Sequence, residues 1–156
     1  MTLIRALATT AMTASLISGM ALADGHAGPP AEVKARNGLM ANYSLNLGIL
    51  GDMAKGKSDY NADVAAVAAA NLAALAGTDQ SLLWPTGTDT MSIDGTRALP
   101  KIWDAKADFD SKADDLAKAA VALAAVAGTD LAGLQGAMGG VGGACGACHK
   151  AYREPK

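Results

Sequence analysis

Alanine dominates this chain, and no other feature of the sequence limits its possible folds as strongly. The 156 residues include 36 Ala and are 51% hydrophobic, yet only 4% are aromatic. β-Strands favour β-branched and aromatic side chains, whereas alanine is the best helix former. The composition therefore predicts an all-α protein. One Phe, two Trp and three Tyr leave little bulky material to fill a helical core at native density, so another group is expected to help fill it.

The length of the chain limits the number of domains, and its charge limits the possible partners. The chain is long enough for one domain, and its formal net charge is −2. Proteins that bind nucleic acid rely on clustered Lys and Arg. This chain has 13 Lys and Arg against 15 Asp and Glu, so a nucleic-acid partner is not expected.

The first 23 residues have the pattern of a secretory signal peptide. Arg5 supplies a positive start, a mostly apolar stretch follows to Met20, and Ala21-Leu22-Ala23 forms a cleavage site before Asp24. A membrane anchor is the alternative, but no uninterrupted apolar run reaches the ~18 residues that a span needs. The sequence predicts export to a periplasm, and residues 24–156 form the mature domain without membrane insertion.

Helical periodicity continues through most of the mature domain. Four amphipathic helices are predicted, spanning about residues 29–55, 61–77, 100–127 and 130–153. The second is expected to bury Val64, Ala68, Asn71 and Leu75, and the third to bury Ile102, Phe109, Leu116 and Leu123. Short connections make neighbouring helices antiparallel, which predicts an up-down-up-down four-helix bundle. The long stretch from 77 to 99 is predicted to begin with a short extension of the second helix.

The fourth helix carries the motif Cys145-Gly146-Ala147-Cys148-His149. This is C-x-x-C-H, the signature of covalent haem c attachment. On a helix, two thiols can bond to the vinyl groups of one haem while His149, one turn after Cys145, reaches its iron. A thioredoxin-like site expects nearby strands, and a zinc site needs more ligands than the remaining His26 can supply. A haem would also fill the core that lacks aromatic side chains.

Several segments resemble the class II cytochromes c, and in particular the cytochromes c′. The segments that match are the C-terminal Cys145–Arg153, the run Ala35–Met40, the loop Leu83–Thr88 and the helix start Pro100–Trp103. The resemblance covers essentially the whole mature chain. It implies a four-helix bundle with one covalent haem c, held by Cys145 and Cys148, with His149 as the axial iron ligand.

The resemblance also implies which side chains surround the haem. Arg36 matches an arginine that contacts a haem propionate, and Asn37 lies beside it; Thr96 and Arg97 are candidates for the other propionate. Arg153 matches a basic residue on the proximal side. A solvated surface position for Arg36, and a helix-end cation role for Arg153, are the alternatives drawn from the residues themselves.

Met40 and Trp84 are expected at the distal side of the iron. In class II cytochromes a methionine at this position either binds iron or packs beside it, and a thioether can do both. The Arg36–Met40 run and Trp84 favour a high-spin, five-coordinate iron that admits NO and CO. No side chain that would donate a hydrogen bond to bound O₂ is evident.

Three further expectations concern function and assembly. The alternative to gas binding is a low-spin electron carrier with His149 and Met40 as ligands. An enzyme such as a haem peroxidase is not expected, because no distal His and Arg acid–base pair is visible. The resemblance suggests a homodimer through the first two helices, where Ala65, Ala66, Ala69, Ala70 and Ala73 permit close approach. A periplasmic redox partner is implied, though not identified.

Overall fold

The computed structural model describes residues 28–155, which fold into helices joined by turns and one long loop. The helices are α1 (Ala31–Ala54), α2 (Ala62–Ala76), α3 (Lys101–Asp104), α4 (Lys106–Val126) and α5 (Leu131–Tyr152), with a 3-10 turn at Ser81–Leu83. No β-strand occurs among these residues. The prediction of an all-α four-helix bundle is confirmed, with α1, α2, α4 and α5 as its long helices. The predicted signal peptide and His26 lie outside the described residues.

Local chemistry sets the helix boundaries. α1 begins directly after Pro30, which cannot donate the backbone hydrogen bond that a first helical turn leaves unused. The Asn61 side chain accepts a hydrogen bond from the Val64 N–H at the start of α2, and Asp130 accepts one from Gly133 at the start of α5.

The four long helices surround one alanine-rich core. α1 packs against α2 and α5, and α4 packs against the same two helices, so α1 and α4 lie diagonally opposite. Leu50, Leu72, Leu123 and Leu134 are fully buried at the centre, among small alanine side chains. The alanines allow the helices to approach closely, which leaves little room for additional core side chains.

The buried face of α2 differs from the predicted one. Val64 is 44% exposed, and the buried residues are Ala65, Ala68, Ala69, Leu72 and Ala76. The buried face of α2 is shifted by about one residue from the predicted face, because α2 packs against α1 and α4 through its alanine side chains. Ala65 and Ala69 are therefore core residues of a single chain.

The predicted third helix is interrupted. Ala105 has φ −126° and ψ 46°, which separates the four-residue α3 from α4. With the chain bent here, the indole N–H of Trp103 donates to the Trp84 carbonyl at 3.0 Å. Ile102 is buried in a second small cluster with Phe109 and Tyr152.

The long loop runs from α2 to α3 and is fastened to the C-terminus. The predicted extension of α2 is absent; the 3-10 turn takes its place. The Leu99 N–H donates to the Tyr152 carbonyl at 3.0 Å, and the Glu154 N–H donates to the Arg97 carbonyl at 2.9 Å. These bonds hold the end of the loop against the end of α5.

Within residues 28–155, none of the helices combines the length and the apolar character needed to cross a bilayer.

Candidate haem site

A cavity of about 430 Å³ lies between α1, α4, α5 and the long loop. All ten residues that the sequence singled out line it: Arg36, Asn37, Met40, Trp84, Thr96, Arg97, Cys145, Cys148, His149 and Arg153. Phe109 and Leu116, which were expected on the buried face of the third predicted helix, also form part of its wall. Four of the six aromatic residues of the chain are among its lining residues: Tyr43, Trp84, Phe109 and Tyr152.

The last two turns of α5 bring the motif residues to this wall. Cys145 and Cys148 are half-buried, and His149 lies one turn beyond Cys145. Burial raises the pKa of both thiols, so they stay protonated at neutral pH. Gly146 is exposed, and a Cβ added there would meet no atom within 4 Å.

The surroundings of His149 keep its imidazole neutral. Burial lowers its pKa, and the positive charges of Arg153 and Arg97 lower it further. A neutral imidazole has the nitrogen lone pair that a metal ligand requires. The electrostatics of the site therefore suit a metal-binding histidine.

The charge of the cavity wall is opposite to the charge of the chain. Arg36, Arg97, Lys112 and Arg153 line it, and no Asp or Glu is among the described residues of its lining, although the whole chain carries −2. In addition, the Trp84 indole N–H is buried with no acceptor among the described residues. Buried N–H groups rarely lack a partner. An apolar molecule bearing carboxylates, such as a haem with its two propionates, fits this wall.

Arg36 joins α1 to the long loop. Its guanidinium donates to the Leu83 carbonyl at 3.3 Å, to the Thr88 hydroxyl at 2.8 Å and carbonyl, and to the Thr96 hydroxyl at 2.6 Å. Its carbon lies 4.8 Å from the centre of the Trp84 ring. Only 2% of the residue is exposed, so the surface alternative for Arg36 is wrong. Burial lowers its pKa, while the charge of Asp89 acts in the opposite direction.

The other candidate propionate contacts have protein partners as well. Asn37 donates to the Gly95 carbonyl at 3.3 Å, and Arg97 donates to the Glu154 carbonyl. The Thr96 hydroxyl accepts from Arg36 and from the Ala98 N–H. Each of these residues thus fastens the loop at the cavity in addition to lining it.

Met40 lies at the edge of the cavity and is 36% exposed. Trp84 stands in the loop wall, with its ring 4.7 Å from that of Phe109 in an edge-to-face contact. Both residues were predicted to flank the same space, and the structure places both on its wall.

Sequence reasoning missed several polar residues of this wall. Tyr43, Gln80, Lys112 and Tyr152 line the cavity too. Helical spacing could have revealed the first, because Tyr43 follows Arg36 by seven residues and is on the same face of α1. The expectation that no donor to bound O₂ is evident stays a prediction, although Tyr43 adds a hydroxyl-bearing side chain to the wall.

Taken together, an all-α bundle, a C-x-x-C-H motif on its last helix and a cationic apolar cavity define a c-type haem protein. The family profile described as Cytochrome C′ matches residues 31–153. The chain belongs to the cytochrome c′ family, and its cofactor is covalently bound haem c with iron.

Individual relatives agree with this assignment. Cytochrome c-554 of Cereibacter sphaeroides is 42% identical over 96% of this chain and 98% of its own length. The structure of cytochrome c′ from Rhodobacter sphaeroides superposes with a TM-score of 0.78 at 35% identity, covering 80% of this chain and 96% of its own. Variants of Alcaligenes xylosoxidans cytochrome c′ with nitric oxide or carbon monoxide bound are 31% identical, with TM-scores of 0.71 and 0.70. Each covers 83% of this chain and 98% of its own.

Proposed function

We propose that this protein is an exported carrier of single electrons whose haem also binds small neutral gases. The observation that carries the proposal is the convergence of Cys145, Cys148 and His149 on one cavity with a cationic wall. When bound, haem c supplies an iron that changes oxidation state by one electron and takes a small ligand at a free axial position. The protein supplies attachment, orientation and electrostatics.

In this proposal the two thiols hold the cofactor and the imidazole binds its iron. Cys145 and Cys148 form thioethers, and His149, kept neutral by burial and by neighbouring arginines, donates its lone pair. Mass spectrometry of the denatured protein tests the attachment. We expect one haem to remain on the chain, and we expect it to be lost when both cysteines are changed to Ala.

The positive residues of the wall have a separate role. We assign Arg97, Lys112 and Arg153 to the propionates. Charge-assisted hydrogen bonds are shorter and stronger than neutral ones, so they also fix the orientation of the cofactor. Arg36 contributes its charge to the same region while it holds the loop.

Met40 decides how the sixth axial position is used. We infer that its side chain packs beside this position and leaves it open, so that the ferric protein is high-spin. The relatives solved with nitric oxide and carbon monoxide support gas binding. Met40 lines the cavity and is 36% exposed, which suits a side chain that limits access to the site.

A second candidate is an electron carrier with Met40 as the sixth ligand. Two observations favour it. Met40 lines the cavity, and a relative that is 42% identical to this chain is named cytochrome c-554, not cytochrome c′.

The EPR and visible spectra of the ferric protein separate the two states of the iron. A high-spin signal supports the open site. A low-spin signal that becomes high-spin in Met40→Ala establishes methionine ligation instead. If the site is open, Met40→Ala should speed CO association because it removes bulk at the cavity edge, and an unchanged rate would remove Met40 from the pocket.

Export is part of the proposal. We propose that the mature chain begins at Asp24 in the periplasm, where it meets its redox partner. N-terminal sequencing of the protein purified from a periplasmic extract tests this. Recovery with residues 1–23 still attached would contradict it.

We also propose a homodimer through α1 and α2. Leu45 is 63% exposed on α1 and Val67 is 61% exposed on α2, two apolar side chains on adjacent helices. Sedimentation velocity should show a dimer that becomes a monomer in Leu45→Glu/Val67→Glu. Val121→Glu is the matched control, because Val121 is equally exposed on α4. A dimer that survives the double change would exclude this face.

A further inference from the structure

His26 is the one histidine of this chain that the haem site does not use. The chain has two histidines, and the other, His149, lines the haem cavity. Among residues 28–155, no group of three or more His, Cys, Asp or Glu side chains could hold a metal ion. His26 precedes that part of the chain, and its chemistry follows from its place in the sequence. Cleavage after Ala23 makes it the third residue of the mature protein, in the order Asp24-Gly25-His26.

A histidine in third place from a free N-terminus brings four nitrogen donors together on a short stretch of chain. They are the α-amino nitrogen of Asp24, the backbone nitrogens of Gly25 and His26, and the imidazole Nδ1 of His26. Successive donors close small chelate rings on one metal ion, and the planar peptide units keep all the donors in one plane. Nitrogen donors in a square plane are the arrangement that Cu(II) and Ni(II) prefer.

The residue types at these positions meet the conditions for such a chelate. A backbone nitrogen binds the metal only after it loses its proton, so the second and third residues cannot be proline. Gly25 and His26 both carry that proton, and the first prolines of the mature chain are Pro29 and Pro30. Glycine in second place also puts no side chain beside the plane. The ligand set is therefore complete within three residues and needs no donor from the folded domain.

The first helix forms without the backbone nitrogens of this motif. α1 begins at Ala31, and its first backbone hydrogen bond runs from the Lys34 N–H to the Pro30 carbonyl at 3.0 Å. Because the hydrogen bonds of α1 start at Pro30, the helix makes no use of the Gly25 and His26 N–H groups. Metal binding at these two nitrogens therefore does not compete with the folding of α1.

The chain enters α1 at the rim of the haem cavity. A Cβ added at Gly95 would lie only 3.3 Å from the Cγ of Pro29, so these two residues are in contact. Gly95 lines the haem cavity. None of the residues of the cavity wall belongs to the proposed ligand set, so the haem spectrum can serve as a control for copper bound at the wrong place.

We propose that Asp24-Gly25-His26, at the N-terminus of the mature chain, is a second metal site that binds one Cu(II) ion. The inference rests on the cleavage before Asp24 proposed above. Cu(II) is expected to bind more tightly than Ni(II), because sites of a given donor set bind Cu(II) most strongly among the divalent first-row metals. Four nitrogen–copper bonds form, and the protons of the ammonium group and of the two amides are released to solvent.

Copper retention by the ferric holoprotein tests the site. The protein is purified from a periplasmic extract, its N-terminus is sequenced, excess copper(II) chloride is added, and loosely bound metal is removed by desalting. We expect one copper for each haem iron by elemental analysis. The EPR spectrum should be that of tetragonal Cu(II) split by four nitrogens, and the visible spectrum of the haem should not change.

Two substitutions each remove one donor. His26→Ala lacks the imidazole, whereas Gly25→Pro keeps the imidazole but lacks one amide proton. Neither variant should retain copper after desalting. Retention of one copper by His26→Ala would overturn the proposal, because the metal is then bound elsewhere. Retention by Gly25→Pro would overturn it too, because the backbone nitrogens are then not ligands.

Asp24→Asn is the matched control. It changes the first residue of the same motif but keeps all four nitrogens, so it should still retain one copper with an unchanged EPR spectrum. The N-terminus of each variant is sequenced, so that all are compared at the same cleavage position. Loss of copper from Asp24→Asn would contradict a ligand set of four nitrogens.

The N-terminal sequence separates a failure of the metal site from a failure of the proposed cleavage. A chain that begins at Asp24 and retains no copper overturns the metal site alone. A chain that begins at any other residue overturns the cleavage and the metal site together, because His26 is then not third from the free amine.

Discussion

The guanidinium of Arg36 lies 4.8 Å from the centre of the Trp84 ring, and this contact joins α1 to the long loop. A cation over an indole face is attracted by the ring quadrupole. Arg36 also donates hydrogen bonds to Leu83, Thr88 and Thr96, so one buried side chain fixes several points of the loop. The wall of the haem cavity is therefore held by the protein itself.

Replacing Arg36 should destabilise the protein as well as alter its haem environment. Arg36→Leu leaves the buried hydroxyl and carbonyl oxygens of Thr88 without their donor, and we expect a loss of about 2–4 kcal/mol in the free energy of unfolding. Arg36→Lys keeps the charge but lacks the planar fork, so its loss should be intermediate. Urea unfolding of the holoprotein measures both. Lys34→Ala, at an exposed position on the same helix, should change the free energy of unfolding by less than about 0.5 kcal/mol. An equally small effect of Arg36→Leu would show that Arg36 does not hold the long loop to α1.

The helices could be predicted from sequence because their signals are local. The apolar residues Phe109, Leu116 and Leu123 recur every seven residues along α4. Asn61 and Asp130 are residue types that commonly cap the N-terminus of a helix. The interruption at Ala105 could not be predicted in this way, because alanine favours a continuous helix. The packing of Ile102 with Tyr152 and the hydrogen bond from Trp103 to Trp84 are contacts distant in sequence, and they accompany the bend.

Some residues of the candidate site could likewise be predicted from the sequence, and others could not. Cys145, Cys148 and His149 form a contiguous motif, so spacing alone indicates their chemistry. Tyr43 and Lys112 come from different helices, and their place in the wall depends on how α1 and α4 face each other across the cavity. The hydrogen bonds from Arg36 to loop carbonyls could not be predicted from the sequence, because every residue has a backbone carbonyl whatever its side chain.

The cavity should make the chain without haem unstable. Without haem, the apolar wall of the cavity of about 430 Å³ would be exposed to water, and exposing apolar surface to water costs free energy. We expect the haem-free double variant Cys145→Ala/Cys148→Ala to bind ANS and to lack a cooperative thermal transition by near-UV circular dichroism. A cooperative transition with the stability of the holoprotein would contradict the idea that haem completes the core.

The hydrogen bond between Tyr152 and Asp108 should be visible in an alkaline titration. Donation to the Asp108 carboxylate raises the pKa of Tyr152 to about 12. Because the folded pKa exceeds the unfolded value of about 10, the stabilisation is complete below pH 10 and is lost as the pH rises from 10 to 12.

Asp108→Ala should return the pKa of Tyr152 toward its ordinary value. Ultraviolet absorbance of phenolate formation measures this in a Tyr43→Phe/Tyr60→Phe background, where Tyr152 is the sole tyrosine of the chain. Asp110→Ala is the control, since Asp110 pairs with Lys106 and not with the phenol. An unchanged Tyr152 titration in Asp108→Ala would show that this carboxylate does not hold the proton.

Glycines in the α4–α5 region should respond to alanine in opposite directions. α5 contains seven glycines in 22 residues, and a Cβ added at Gly136, Gly139 or Gly143 meets no atom within 4 Å. Alanine in a helix is more favourable than glycine by about 0.5–1 kcal/mol, so the triple Ala variant should gain roughly 1.5–3 kcal/mol in urea unfolding of the holoprotein.

Gly128 is the opposing case, because its neighbours cannot move out of the way. A Cβ there would lie 2.7 Å from the Ala66 Cβ and 3.2 Å from the Ala62 carbonyl oxygen. Both atoms belong to the backbone or to the shortest side chain of α2, so the helix ends must separate, at a cost of about 1–3 kcal/mol. We therefore expect Gly128→Ala to lower the urea midpoint while the α5 triple variant raises it. If Gly128→Ala is neutral, the close contact between the end of α4 and the start of α2 is not part of the folded protein.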